Sequence, residues 1–187
     1  MADTVAVMNH GRIEQMGAPE ELYELPRTAF VANFLGQTNL FPATVRSGGA
    51  VLAAATGAGV VGLPAERAQV RSGAITVGVR PEKMLLHIEK PPDDPGRNVL
   101  GPGRVIDVSF SGVSTQYIVA IPGAGDVVVF AQNMVFGPVA DRGTAVWVSW
   151  GVEHGFGLEA GADAAPRFAD DTDTATLAEA ETSGGVS

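Results

Sequence analysis

The chain has 187 residues, enough for one domain of ordinary size with arms, and 45% hydrophobic against 18% charged residues predicts a real core. Its formal net charge of -9, from 12 basic and 21 acidic residues, argues against nucleic-acid binding, which needs a cationic footprint to displace counterions from phosphates. The absence of cysteine excludes disulfides, thiolate metal sites and cysteine nucleophiles.

Along the chain, the first expected element is a hairpin. Thr4 to Met8 reads as a strand, Asn9-His10-Gly11 as a turn, and Arg12 to Met16 as the returning strand. Two short helices should follow. Pro19 fits a first helical position, Glu20 and Glu21 suit the positive helix end, Leu22 and Leu25 share a face, and Pro26 stops the helix. Thr28 is placed to cap the second helix, whose Phe30, Val31, Phe34 and Leu35 follow helical spacing and predict a packing face, with Gly36 as the stop.

From Leu40 the period changes to two. Strands are predicted at Phe41 to Arg46, Ala50 to Ala55, Val60 to Leu63, Ile75 to Arg80, Met84 to Ile88, Gly103 to Phe110, Gln116 to Ile121, Val127 to Ala131 and Ala145 to Trp150. Pro64 to Gln69 predicts one helical turn. Ile106, Val108 and Phe110 alternate with Asp107 and Ser109, and Val146, Val148 and Trp150 form a second such stripe. Many short strands separated by Gly and Pro predict a small β-barrel or two packed sheets. From Ala160 onward the chain is acidic and poor in apolar bulk, so a disordered tail over 160–187 is expected. No stretch reaches the roughly 20 apolar residues of a membrane-crossing helix, and the N-terminus does not read as a signal peptide.

No Gly-x-x-x-x-Gly-Lys-[Ser/Thr] phosphate loop and no Gly-x-Ser-x-Gly elbow occur, and His10, His87 and His154 match no metal spacing. Neither a catalytic nor a metal-binding residue is therefore expected. Asp93-Asp94, between prolines, reads as a solvated turn. The most suggestive cluster is Arg80-Pro81-Glu82, where Pro81 forces Arg80 into extended geometry. Arg80 and Glu82 could meet a partner subunit or a small anion; the simpler reading is a local ion pair on a rigid turn. Trp147 and Trp150 fall on opposite faces of one strand, so one is buried and the other is free to line an interface or a ligand surface.

The run Ala2-Asp3-Thr4-Val5-Ala6-Val7-Met8-Asn9-His10-Gly11-Arg12-Ile13-Glu14-Gln15, then Gly17-Ala18-Pro19-Glu20-Glu21-Leu22-Tyr23, Pro26 and Phe30-Val31-Ala32-Asn33-Phe34-Leu35-Gly36 to Asn39, resembles the end of the nucleotide-binding domain in ABC importer ATPases. Gly36-Gln37-Thr38-Asn39-Leu40-Phe41 and the Trp150 ending favour the polyamine type over the sugar and iron types. Ala18 departs from the family's usual threonine, which weakens the cap of the first helix. Val77-Gly78-Val79-Arg80-Pro81-Glu82, and Trp150 with Glu153-His154-Gly155-Phe156-Gly157-Leu158, resemble the family's TOBE region, an OB-like β module.

The resemblance implies residues 1–39 as a hairpin with two linking helices, residues 40–159 as an OB-like TOBE domain, and a mainly β fold. It implies the accessory or regulatory portion of an ATP-binding subunit, bracing an ATPase dimer at the cytoplasmic face of the membrane. The ATPase motifs, with ATP and Mg as cofactors, would lie upstream, so no cofactor is expected on this chain. The implied partners are the ATPase core, a second copy of the subunit and, indirectly, membrane subunits. A self-standing OB-like binder of small oxyanions is the alternative. The hairpin is expected to lack partners for Val5, Val7 and Ile13, and so to be disordered or to order by pairing into a homodimer.

Overall fold

The computed structural model describes residues 3–132 and 139–161. The expected acidic tail falls, from residue 162, outside the described residues. The hairpin forms as expected from β1 (Val5–Asn9) and β2 (Arg12–Gly17). Its turn places His10 at φ 47 and Gly11 at φ 77, the two positive values a tight hairpin turn requires.

Two six-residue helices follow, α1 (Pro19–Glu24) and α2 (Ala29–Phe34). Ala18 supplies no side-chain cap to α1, whereas the Thr28 hydroxyl accepts from Val31 N at 3.2 Å at the start of α2. Two expectations about their faces need correction. Leu25 is 41% exposed because α1 ends one residue earlier, and Phe34 is 64% exposed, stacked on Phe30 with ring centroids 5.9 Å apart. Val31 and Ala32 are the buried residues of α2, and Phe30 and Leu35 pack partly buried beside Val31 as expected.

The hairpin does not lack cover in the single chain. Val7 packs with Leu22 and Val31, all fully buried, and the Gln15 amide donates to Leu25 O while accepting from Arg27 N. The helices fold back on one hairpin face and supply what a two-stranded unit lacks in water. The other face stays open: Met8, Ile13 and Met16 are each more than half exposed.

The β region is a duplicated unit. Its first half is β3 (Asn39–Ser47), β4 (Val51–Thr56), β5 (Gly59–Pro64), a 3-10 turn (Ala65–Arg67), β6 (Gly73–Val79), a second turn (Pro81–Lys83) and β7 (Leu85–His87). The second half is β8 (Arg97–Phe110), β9 (Ser114–Ile121), β10 (Gly125–Gln132), β11 (Ala145–Gly151), a 3-10 turn (Val152–His154) and β12 (Phe156–Glu159). The two five-stranded antiparallel sheets run β12-β6-β3-β4-β5 and β7-β11-β8-β9-β10, the same order with the final strands exchanged. Registers match too: Leu85 faces Ser149 across β7 and β11 as Phe156 faces Gly78 across β12 and β6. In each sheet the outer strands, β5 with β12 and β10 with β7, approach one another, giving the barrel-like closure expected of an OB-like module.

Four contacts join the halves. Asn39, buried at the start of β3, pairs its amide with Val128 of β10, donating to the carbonyl at 2.7 Å and accepting from N at 2.8 Å. Asn98, at the start of β8, makes the same pair with Gly62 of β5, at 2.8 and 2.7 Å. Each side chain thus imitates a strand's backbone at a sheet edge. The β4–β5 and β9–β10 turns touch at Gly57 and Gly123. Phe41 stacks on Trp150 in the common core.

Val146, Val148 and Trp150 are buried, as the alternation predicts. The stripe in β8 is otherwise. A register shift between Val105 and Asp107 changes the phase, so Val105 is buried and Phe110 is 72% exposed. β8 also begins at Arg97, ahead of its predicted start, and β12 was not among the strands predicted from alternation.

Candidate functional site

The candidate residues separate onto two sheets. Arg80 follows β6, and Glu82 lies in the turn after it; Trp147 is in β11 of the other sheet. Trp147 is half-buried, facing His87 in the ladder, and a Cβ built on Gly101 would lie 2.9 Å from its ring. Trp150 is the buried member of the pair, and its indole N–H has no hydrogen-bond partner among the described residues.

Arg80 is 3% exposed and turned inward onto the linking helices. Six-residue helices leave their last carbonyls without intrahelical donors, and neither α1 nor α2 has a basic residue in its last turn. Arg80 supplies those donors from the β module. Nη1 donates to Ala32 O at 2.7 Å, Gly36 O at 3.1 Å and Thr38 Oγ1 at 2.5 Å, and Nη2 donates to Tyr23 O at 2.9 Å. The guanidinium carbon lies 4.1 Å from the centre of the Tyr23 ring. Burial pushes the Arg80 pKa down; the nearby Tyr23 and Glu82 charges oppose that shift.

Glu82 is exposed and accepts the Tyr23 hydroxyl. The Arg80-Pro81-Glu82 segment therefore grips α1 from two sides, in place of the local ion pair that the sequence suggested. Arg67 adds a third grip, donating from Nη2 to Glu24 O at 2.8 Å and to the Glu24 carboxylate at 3.2 Å. Gln69 donates to Arg27 O at 2.5 Å and accepts from Glu159 N at 3.0 Å.

The Tyr23 pKa is raised to about 12, first by burial and then by its hydrogen bond to Glu82 and that group's charge. The folded-state value lies above the unfolded one, so the stability it contributes is complete below about pH 10 and is lost as pH rises toward 12. Urea midpoints measured from pH 9 to 12 should fall more steeply for the native chain than for Tyr23→Phe. Parallel curves would show that the phenol is not docked.

Chemically the cluster is a set of guanidinium donors whose Nη atoms meet carbonyls, the Thr38 hydroxyl and the Glu24 carboxylate, while Nε of Arg80 and of Arg67 is buried with no partner among the described residues. His87 Nε2 lies 2.7 Å from Ser149 Oγ, and burial, then Arg97, pushes its pKa down. His10 is exposed in the hairpin turn, and His154 lies 3.4 Å from the Glu153 carboxylate. Among the described residues no three His, Asp or Glu side chains are grouped to hold a metal ion, and no helix is long and apolar enough to cross a membrane. Arg67 and Gln69 were missed because their shortest hydrogen bonds, to Glu24 O and Arg27 O, go to backbone atoms. The duplication was missed as well; its faint signal is Asn39 with Pro42 against Asn98 with Pro102.

Residues 77–158 match the family described as the TOBE domain. The spermidine/putrescine import ATP-binding protein PotA of Frankia alni is 40% identical over 170 residues, covering 84% of this chain and 36% of that protein. The protein of the same name from Acidothermus cellulolyticus is 42% identical over 161 residues, covering 84% and 41%. A solved structure of a cytoplasmic molybdate-binding protein, ModG, is similar with a TM-score of 0.49 and 14% identity, over 64% of this chain and 94% of that one. The chain spans about two fifths of the length of the curated relatives it matches. The TOBE match, together with likeness over 84% of this chain to part of one kind of import subunit, makes the chain similar to the TOBE-bearing portion of the ATP-binding subunits of ABC importers.

Proposed function

We propose that this chain is the accessory, regulatory portion of the ATP-binding subunit of a polyamine importer, and that it braces the ATPase dimer. The observation that carries the reading is the likeness to spermidine/putrescine import ATP-binding proteins over 84% of the chain. The open hairpin face of Met8, Ile13 and Met16 supports it, because a shared apolar sheet face suits burial against the ATPase core. The partners in this reading are that core, a second copy of the subunit and, through them, the membrane subunits. The place of work is the cytoplasmic face of the membrane. Nucleotide chemistry belongs to the ATPase core; this chain lacks the phosphate loop that would cradle ATP.

The test is uptake. Cells deleted for this chain should lose radiolabelled spermidine uptake while keeping sugar and ferric-iron uptake, and unimpaired spermidine uptake would refute the reading. In the same experiment the purified chain, titrated with Mg-ATP in a calorimeter, should give no saturable heat. Micromolar binding would show that nucleotide chemistry resides here as well.

A further inference from the structure

The duplication provides an internal control for Arg80. In each half the inner strand runs into a 3-10 turn and then into the exchanged strand, and the two turns begin at matching positions, Arg80 and Gly151. Both adopt the same extended backbone, φ -75 and ψ 140 at Arg80, φ -64 and ψ 138 at Gly151. The turn itself therefore does not require an arginine. At Gly151 the space a side chain would enter is taken by the Glu153 carboxylate. The half with the arginine is the one against which α1 and α2 dock.

Burying a guanidinium is costly unless its hydrogens are satisfied, and the linker partners both Nη atoms while Nε stays unpartnered among the described residues, so Arg80 needs the linker as much as the linker needs Arg80. Its acceptors come from both helices and from the segment joining them to β3: Tyr23 O, Ala32 O, Gly36 O and Thr38 Oγ1. Thr38 in turn donates to Ala32 O at 3.1 Å. Ala32 also packs beside Leu40, Phe156 and Leu158, so the same helix residue touches β3 and the exchanged strand β12. Helices of six residues have little stability of their own, and their order depends on this docking.

We propose that Arg80 is a coupling residue: it locks the hairpin and its two helices to the first β half as one rigid body. A displacement at the hairpin is then carried to β6 and β12 without being absorbed in the linker. The rigidity stands on the geometry alone; its use in passing a signal between an ATPase core and the TOBE module rests on the reading above.

The experiment is amide hydrogen exchange on the full chain. Arg80→Met keeps the bulk and removes the donors. Exchange over residues 5–38 should accelerate about a hundredfold, the size expected when several charge-assisted hydrogen bonds are lost, with residues 39–159 unchanged. Arg80→Lys should resemble Arg80→Met, since one ammonium cannot span the acceptors of two helices. Thr38→Val, a milder change, should accelerate the same segment about tenfold. Acceleration spread over the whole chain would mark Arg80 as an ordinary core residue and overturn the proposal, as would no acceleration in the arm. Neither result depends on spermidine uptake, so failure of the coupling and failure of the transport reading are distinguishable.

Discussion

Val148→Asp is expected to lower the melting temperature by about 10–20 °C at neutral pH, corresponding to a loss of about 5 kcal/mol or more. Val148 is fully buried in the common core, on β11 between β8 and β7, with Leu100 and Leu86 as its ladder neighbours. An aspartate there either keeps its charge among apolar side chains or takes up a proton, and both cost free energy relative to water. Because the folded chain holds the carboxyl neutral, its pKa is raised, and the penalty shrinks as pH falls toward the unfolded value of about 4. Val148→Ala removes the same methyl groups without a charge and should cost about 2–3 kcal/mol. A Val148→Asp chain that melts like the native one would show that the alternate face of β11 is the buried one.

Gly123→Ala is expected to cost about 3 kcal/mol, from about 1–3 for overpacking and about 1–2 for the left-handed backbone. Gly123 sits at φ 83, and a Cβ on it would press into the Gly57 carbonyl. That carbonyl is backbone and cannot swing aside as a side chain would. Two neighbours separate the contributions. Gly57→Ala meets the Gly123 carbonyl and should show the contact cost. Gly125→Ala, at φ 81 with nothing within 4 Å of its Cβ, should show the backbone cost alone, about 1–2 kcal/mol. Thermal melts of the three variants would test this. A Gly123→Ala chain no less stable than Gly125→Ala would mean the two turns do not touch.

What was legible in the sequence was local. The hairpin turn, Pro19 at the start of α1, the Thr28 cap and the Val146-Val148-Trp150 stripe are written in residues that act on their neighbours, and they stand where the pattern placed them. Phase errors came where the backbone adds a residue, as at the shift between Val105 and Asp107, because a bulge leaves no fixed residue behind it. The role of Arg80 was unreadable for another reason. All but one of the acceptors named for it, the Thr38 hydroxyl, are carbonyls, which every residue carries, so nothing in the composition of Tyr23, Ala32 or Gly36 marks them. The exposure of Phe34 follows from helix length: in two turns only part of the surface can be covered, and Val31 with Phe30 and Leu35, and Ala32, occupy it.

The exchange of β7 and β12 bears on how the protein is made. A ribosome releases the chain from its N-terminus, so β3 to β6 emerge well before the strand that closes their sheet. Until Phe156 reaches Gly78, the edge of β6 presents unpaired amides to whatever strand is near. The neighbour already available is β7, which belongs in the other sheet. Nascent chains thus pass through an interval in which the nearest pairing is the wrong one, and long-range closure of this kind is slow. Crowded polysomes, where identical unfinished chains lie side by side, are where that interval carries the greatest hazard of intermolecular pairing.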